Sequence, residues 1–142
     1  MTTEENTARI IEAFGKISKV FASMEGFTGD ISLSKPELLT LESVSKQKEL
    51  TMSKLAKNLD IGFSTATSII DRLIEKKLVA RERNHGDRRV VKVFLSKEGE
   101  KIVSSYQEQK KISFKKMIEV LTEDEQESFV LVLEKIANKM QK

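Results

Sequence analysis

Between Thr51 and Leu95 the hydrophobic period of the sequence switches from helical to strand-like, and this switch limits the fold more than any other feature. Met52, Leu55, Ala56 and Leu59 recur on one helix face behind Thr51, whose hydroxyl suits an N-cap. Asp60-Ile61-Gly62 then supplies a turn, and a second short helix is expected from about Ser64, with Ser64 as its cap and Ile69, Ile70, Leu73 and Ile74 inward. The runs Leu78 to Arg83 and Arg89 to Leu95 alternate or are β-branched, with Val91, Val93 and Leu95 on one face. Asn84-His85-Gly86-Asp87 has the turn chemistry to join them into an antiparallel hairpin.

That hairpin is cationic. From Arg81 to Lys92 it holds five basic residues against two acids, a concentration that calls for an anionic partner. The whole chain carries only +3, which by itself discriminates little, but the charge is unevenly placed. Residues 1–50 hold 6 basic and 8 acidic groups, residues 51–100 hold 11 and 7, and residues 101–142 hold 8 and 7. Helix, turn, helix and basic hairpin in that order form the arrangement by which a winged-helix protein meets double-stranded DNA.

The flanking segments are helical. Ile10, Ile11, Phe14, Ile17, Val20, Phe21 and Met24 form an amphipathic stripe over residues 7–24, with Gly26 and Gly29 ending it. Ser34-Lys35-Pro36-Glu37 has the capping-box pattern, with proline in the first turn, and opens a helix reaching about Lys46. Ser96 can cap a long helix through Ile102, Val103, Tyr106, Phe114, Met117 and Ile118. Thr122 with Glu125 forms a second capping box before Phe129, Val130, Leu133, Ile136 and Met140. With no internal repeat and no Gly/Ser-rich or Pro-rich linker, these outer stripes are expected to pack on a partner chain.

Several function classes find no support. Cysteine is absent, which excludes a thiol nucleophile or thiolate metal site and suits a reducing compartment. His85 is the single histidine, so a histidine-rich zinc site cannot be assembled within one chain, and neither metal nor cofactor is expected. There is no phosphate-binding glycine loop and no serine or cysteine nucleophile motif, so the chain is not expected to be an enzyme. The acidic start Met1-Thr2-Thr3-Glu4-Glu5-Asn6 is unlike a signal peptide, and no apolar run approaches the ~18 residues of a membrane span, so a soluble, cytoplasmic protein is expected.

The segments Leu50 to Leu59, Ser64 to Leu73, Asp87-Arg88-Arg89 and Leu95-Ser96-Lys97-Glu98-Gly99, in that order and spacing, resemble the MarR family of bacterial winged helix-turn-helix transcription regulators over about residues 34–103. The resemblance implies a mostly α fold with a small β-hairpin wing. Its DNA-binding lobe would span residues 34–95, and residues 5–26 and 97–142 would form a helical dimerisation region. It further implies an obligate homodimer, a pseudo-palindromic operator, and an effector that is often a small lipophilic or phenolic anion. One departure stands out: where the family usually has glycine, this chain has Lys77, which in a left-handed helix-ending conformation costs roughly 1 kcal/mol.

On this reading each residue has a defined chemistry. Ser64, Thr65, Thr67 and Ser68 present short hydroxyl side chains where a recognition helix approaches base edges, and Ala66 or Thr67 could meet a thymine methyl. Arg72 is read two ways, as a phosphate contact or as the ion-pair partner of Asp71 or Glu75. Arg88 or Arg89 would enter a narrow minor groove, His85 would meet phosphate at the wing tip, Arg83 would also contact DNA, and Asp87 would hold Arg83 or Arg89 in position. The alternative from another class is a winged-helix architectural or protein-interaction module that binds DNA without sequence preference.

Overall fold

The computed structural model describes residues 1–24, 32–47, 50–83, 86–87 and 90–141. Its elements follow in the order α1 (Thr3–Met24), α2 (Lys35–Lys46), β1 (Leu50–Thr51), α3 (Met52–Leu59), α4 (Phe63–Glu75), β2 (Val79–Arg83), β3 (Val91–Leu95), α5 (Lys97–Ile118) and α6 (Glu123–Met140). The chain divides into two compact units, Gly26–Glu108 and a helical unit of Met1–Glu25 with Gln109–Lys142. Gly26 and Gly29, expected to end the first helix, lie outside the described residues.

Local capping chemistry fixes where the helices start. Ser34 accepts from the backbone N–H of Glu37 at 3.3 Å, while the Glu37 carboxylate accepts from the Ser34 backbone N–H at 3.2 Å and its hydroxyl at 2.9 Å. Thr122 and Glu125 reciprocate in the same way at 3.2 and 2.9 Å. The Thr51 hydroxyl accepts from Lys54 N–H at 3.2 Å, and that of Ser96 from Gly99 N–H at 3.0 Å. All four caps stand where the residue pattern puts them.

The first unit is built round one apolar core. Leu41, Leu50, Leu55, Ala66, Ile70, Leu73, Leu78 and Val93 are fully buried in it, with Ile102 and Val103 of α5 nearly so. β3 runs antiparallel to β2, pairing Val79 with Leu95 and Arg83 with Val91. Val91, Val93 and Leu95 turn toward the core as their alternation requires, Val93 fully and the other two in part. β3 also pairs on its other edge with β1, Leu50 with Val93 and Thr51 with Lys92, so the sheet has three strands in the order β1-β3-β2 rather than the two of a bare hairpin.

α5 is locked to this core through a close backbone approach. A Cβ on Gly99 would lie 2.2 Å from the Leu78 carbonyl oxygen, so only glycine fits there. That same oxygen accepts from Ser96 N–H at 2.9 Å, and the Ser96 hydroxyl donates to the Lys77 carbonyl at 2.7 Å. The Leu-Ser-x-x-Gly pattern is thus a packing device in which each residue has a separate contact.

The helical unit differs in kind. None of its described residues is buried, and Ile10, Ile11, Phe14, Val20, Leu131 and Ile136 are all exposed. One ring contact, Phe21 on Phe114 with centroids 5.0 Å apart, holds α1 against the second half of α5. No helix among the described residues is long and apolar enough to cross a membrane.

Candidate nucleic-acid interface

The turn between α3 and α4 determines which side chains α4 can present. α3 ends on Asp60 in the left-handed conformation (φ 54°), a role aspartate fills at less cost than most residues, and the Ile61 N–H returns to the Ala56 carbonyl at 3.1 Å. Gly62 is then the N-cap of α4 and makes no side-chain cap hydrogen bond. The expectation that Ser64 caps this helix is therefore corrected. The helix begins at Phe63, and Ser64 lies inside its first turn as an exposed residue.

Helical phase sorts the rest. Ala66, Ile69, Ile70 and Leu73 are buried, which leaves Phe63, Ser64, Thr65, Ser68, Asp71, Arg72 and Glu75 exposed. Ala66 is wholly inside the core, so the thymine-methyl contact expected of it does not arise. Thr67 is half-buried, and its hydroxyl donates back to the Phe63 carbonyl at 3.0 Å, as helical threonines do. The first two turns of the exposed face therefore carry hydroxyls and no charge.

The acidic residue that follows is neutralised from the sheet. Arg81 Nη1 on β2 donates to Asp71 Oδ1 on α4 at 2.7 Å, and both side chains are about half exposed. Asp71 thus pairs with Arg81 and not with Arg72, the partner considered from sequence. Among the described residues Arg72 makes no ion pair, and it is exposed. An exposed pair of this kind is worth about 0.2–1 kcal/mol, so its chief effect is to hold helix and strand in register and to cancel a charge that would repel phosphate.

Behind the helix, a buried carboxylate anchors its far end. Glu37 Oε2 accepts from Lys76 Nζ at 2.6 Å, and Lys76 Nζ also donates to the Ser32 carbonyl at 2.9 Å. Burial alone would push the Glu37 carboxyl up, but hydrogen bonds from Lys76 and from the backbone and hydroxyl of Ser34, with the Lys76 charge, hold it below its ordinary value. The next residue, Lys77, takes the left-handed conformation (φ 63°) that the family's usual glycine would adopt more easily. Its N–H bonds Ile74 O at 2.9 Å and that of Leu78 bonds Leu73 O at 3.0 Å, which closes the helix and turns the chain into β2.

The wing is described in part. Arg83 is exposed at the end of β2, and the strand register sets Glu82 opposite Lys92. Asp87 is half-buried, and its carbonyl accepts from Val90 N–H at 3.0 Å. His85, Arg88 and Arg89, expected at the wing tip, lie outside the described residues, so of the two arginines proposed for Asp87 only Arg83 is described.

Three features escaped the sequence reading. Lys54 and Lys57 extend the exposed cationic surface onto α3, Phe63 stands exposed at the start of α4, and two ion pairs join residues far apart in the chain. The lysines were legible as the polar face of a short helix, whereas the ion pairs carry no local signal. Together the parts form a helix with an uncharged, hydroxyl-bearing leading end, and cations on the adjoining helix and strand. That surface can accept a polyanion and touch its bases.

Comparison with known proteins agrees with this geometry. The family model described as MarR family matches residues 33–91. YdgJ, a helix-turn-helix-type transcriptional regulator of Bacillus subtilis (strain 168), is 30% identical over 132 residues, covering 92% of this chain and 79% of that protein. The helix-turn-helix-type transcriptional repressor MdtR of the same organism is 33% identical over 89 residues, 63% of this chain and 57% of that protein. Among solved structures, Streptococcus pneumoniae FabT in complex with DNA superposes with a TM-score of 0.84 at 22% identity, covering 98% of this chain and 97% of that one.

Proposed function

This chain belongs to the MarR family of transcription regulators and not to an enzyme family, and from that premise we propose that it is a homodimeric, ligand-responsive repressor of the cytoplasm that reads a pseudo-palindromic operator. The first two turns of α4 enter the major groove with Ser64, Thr65, Thr67 and Ser68, while Arg72 and Arg83 meet phosphate. Arg88 or Arg89 enters the minor groove from the wing, with His85 at its tip and Asp87 as organiser. The observation that carries this reading is the exposed face of α4, hydroxyl-bearing and uncharged for two turns and then bordered by cations.

Dimerisation rests on the helical unit. A unit with no buried residue among those described cannot offset the entropy of ordering its own helices, so its exposed apolar faces require another surface. An open apolar groove of about 630 Å³, lined by Ile17, Met117, Val120, Leu121 and Phe129, offers space for side chains of a second copy. The sign of regulation is carried over from MdtR, named a repressor, and the response to a small lipophilic or phenolic effector from the family.

Selection of duplexes from a randomised library, followed by titration at several salt concentrations, tests the proposal. Enriched sequences should be palindromic, with half-sites about one helical turn apart. If each protomer neutralises ~4 phosphates, the logarithm of affinity should fall against that of salt with a slope near −7. Equal retention of all sequences would overturn it in favour of an architectural module.

A further inference from the structure

We propose that Phe63 is a specificity-determining residue of this interface, its ring meeting the C5-methyl group of thymine in the major groove. The inference rests on the DNA-recognition reading above and adds to it a particular base preference.

Phe63 is out of keeping with its surroundings. It is 58% exposed, and within the Gly26–Glu108 unit only one other large apolar side chain among the described residues is exposed, Leu39 at 39% on α2. The remaining exposed apolar residues belong to the helical unit, where a second copy accounts for them. Phe63 lies outside that unit, at the first position of α4 beside Ser64 and Thr65.

Its neighbours leave the ring accessible. The preceding residue is Gly62, the N-cap, where even a Cβ would meet nothing within 4 Å. The cap itself is a glycine and uses no side chain, so no capping side chain stands over the ring at the helix start. Of the two residues first considered for a methyl contact, Ala66 is buried, and Thr67 is half-buried with its hydroxyl bonded to the Phe63 carbonyl itself. Phe63 is thus the apolar surface that the leading end of α4 offers to a base edge.

In the major groove the thymine methyl is the apolar group that distinguishes one base pair from the others, while guanine, cytosine and adenine present polar edges there. A phenyl ring at this position therefore favours thymine and disfavours guanine and cytosine, whose polar atoms it would desolvate without a partner. Serine and threonine hydroxyls, which accept or donate to any base, supply little discrimination of their own.

The test uses the full chain and the duplexes it enriches from a randomised library, with each thymine replaced singly by deoxyuridine, which removes only the methyl group. Affinities are measured by fluorescence anisotropy for the wild type, Phe63→Ala and Phe63→Leu. At one thymine in each half-site, methyl removal should weaken the wild type about fourfold, the worth of burying one methyl-sized group. Phe63→Ala should bind thymine and deoxyuridine alike there, and Phe63→Leu should retain part of the difference. Equal sensitivity of wild type and Phe63→Ala at every position would overturn the inference while leaving sequence-specific binding intact. Failure to enrich any sequence would overturn both. Unchanged thermal melting of the two variants, expected for an exposed residue, separates these outcomes from misfolding.

Discussion

Gly99→Ala should destabilise this protein by about 2–4 kcal/mol, against the usual direction of a glycine-to-alanine change within a helix. The added Cβ would lie 2.2 Å from the Leu78 carbonyl oxygen, 3.2 Å from its carbon and 3.4 Å from Leu95 Cδ2. Relief needs a retreat of roughly 1 Å, since carbon atoms at rest stay about 3.5 Å from their neighbours. The carbonyl cannot retreat alone: it accepts from Ser96 N–H at 2.9 Å, its own residue donates to Leu73 O at 3.0 Å, and its side chain is fully buried. Overpacking contributes about 1–3 kcal/mol and each disturbed hydrogen bond about 1, less the ~1 kcal/mol by which alanine favours a helix. For a chain of this size the melting temperature should fall by about 5–12 °C. Scanning calorimetry at matched protomer concentration is the assay, because any coupling of folding to assembly makes the midpoint concentration-dependent. The same change at Gly15, which has nothing within 4 Å of an added Cβ, should instead raise stability by about 0.5–1 kcal/mol. An unchanged or raised midpoint for Gly99→Ala would refute the close approach of α5 to Leu78, and a fall at Gly15 would place that residue against another protomer.

Three further outcomes follow from the same geometry. Lys77→Gly should gain about 1 kcal/mol by relieving the left-handed backbone, whereas Lys77→Ala, which keeps a Cβ, should gain nothing; equal gains in chemical denaturation would point to the lysine charge instead. The Glu37 carboxyl is held below its ordinary 4.5 in the folded state, so its contribution is fully present above that pH and is lost as pH falls through the folded value. Glu37→Gln should therefore cost about 1–3 kcal/mol at neutral pH, with the two stability curves converging below pH 4.5; a gap that widens in acid would contradict the ion pair. A double-mutant cycle on Asp71→Asn and Arg81→Gln should return a coupling of about 0.2–1 kcal/mol that shrinks in high salt, and a zero coupling would remove the pair from what holds β2 to α4.

How much of this was legible in the sequence depended on distance along the chain. The caps at Ser34, Thr51, Ser96 and Thr122 act over three residues, and a local pattern suffices to place them. Ser64 misled because the cap of α4 is a backbone position without a side-chain hydrogen bond, set by the left-handed Asp60 before it. Ala66 looked like surface because alanine fits either environment, although its spacing of three, four and seven residues before Ile69, Ile70 and Leu73 places it on the buried stripe. β1 is two residues long and exists only through its pairing with β3, so it has no period of its own. The pairs Glu37–Lys76 and Asp71–Arg81 span 39 and 10 residues and depend on the finished fold.

The bare apolar faces of α1 and α6 bear on the life of the protein in the cell. If their only cover is a second copy, each molecule is complete only in company, and its abundance becomes part of its own stability. Every tenfold fall in protomer concentration then removes about 1.4 kcal/mol of stability from the assembled pair. Proteolysis would clear the solitary chains first, since their helices lack an interior. A regulator built this way would vanish more steeply than its synthesis declines, so its occupancy of DNA would fall more sharply than dilution alone would make it.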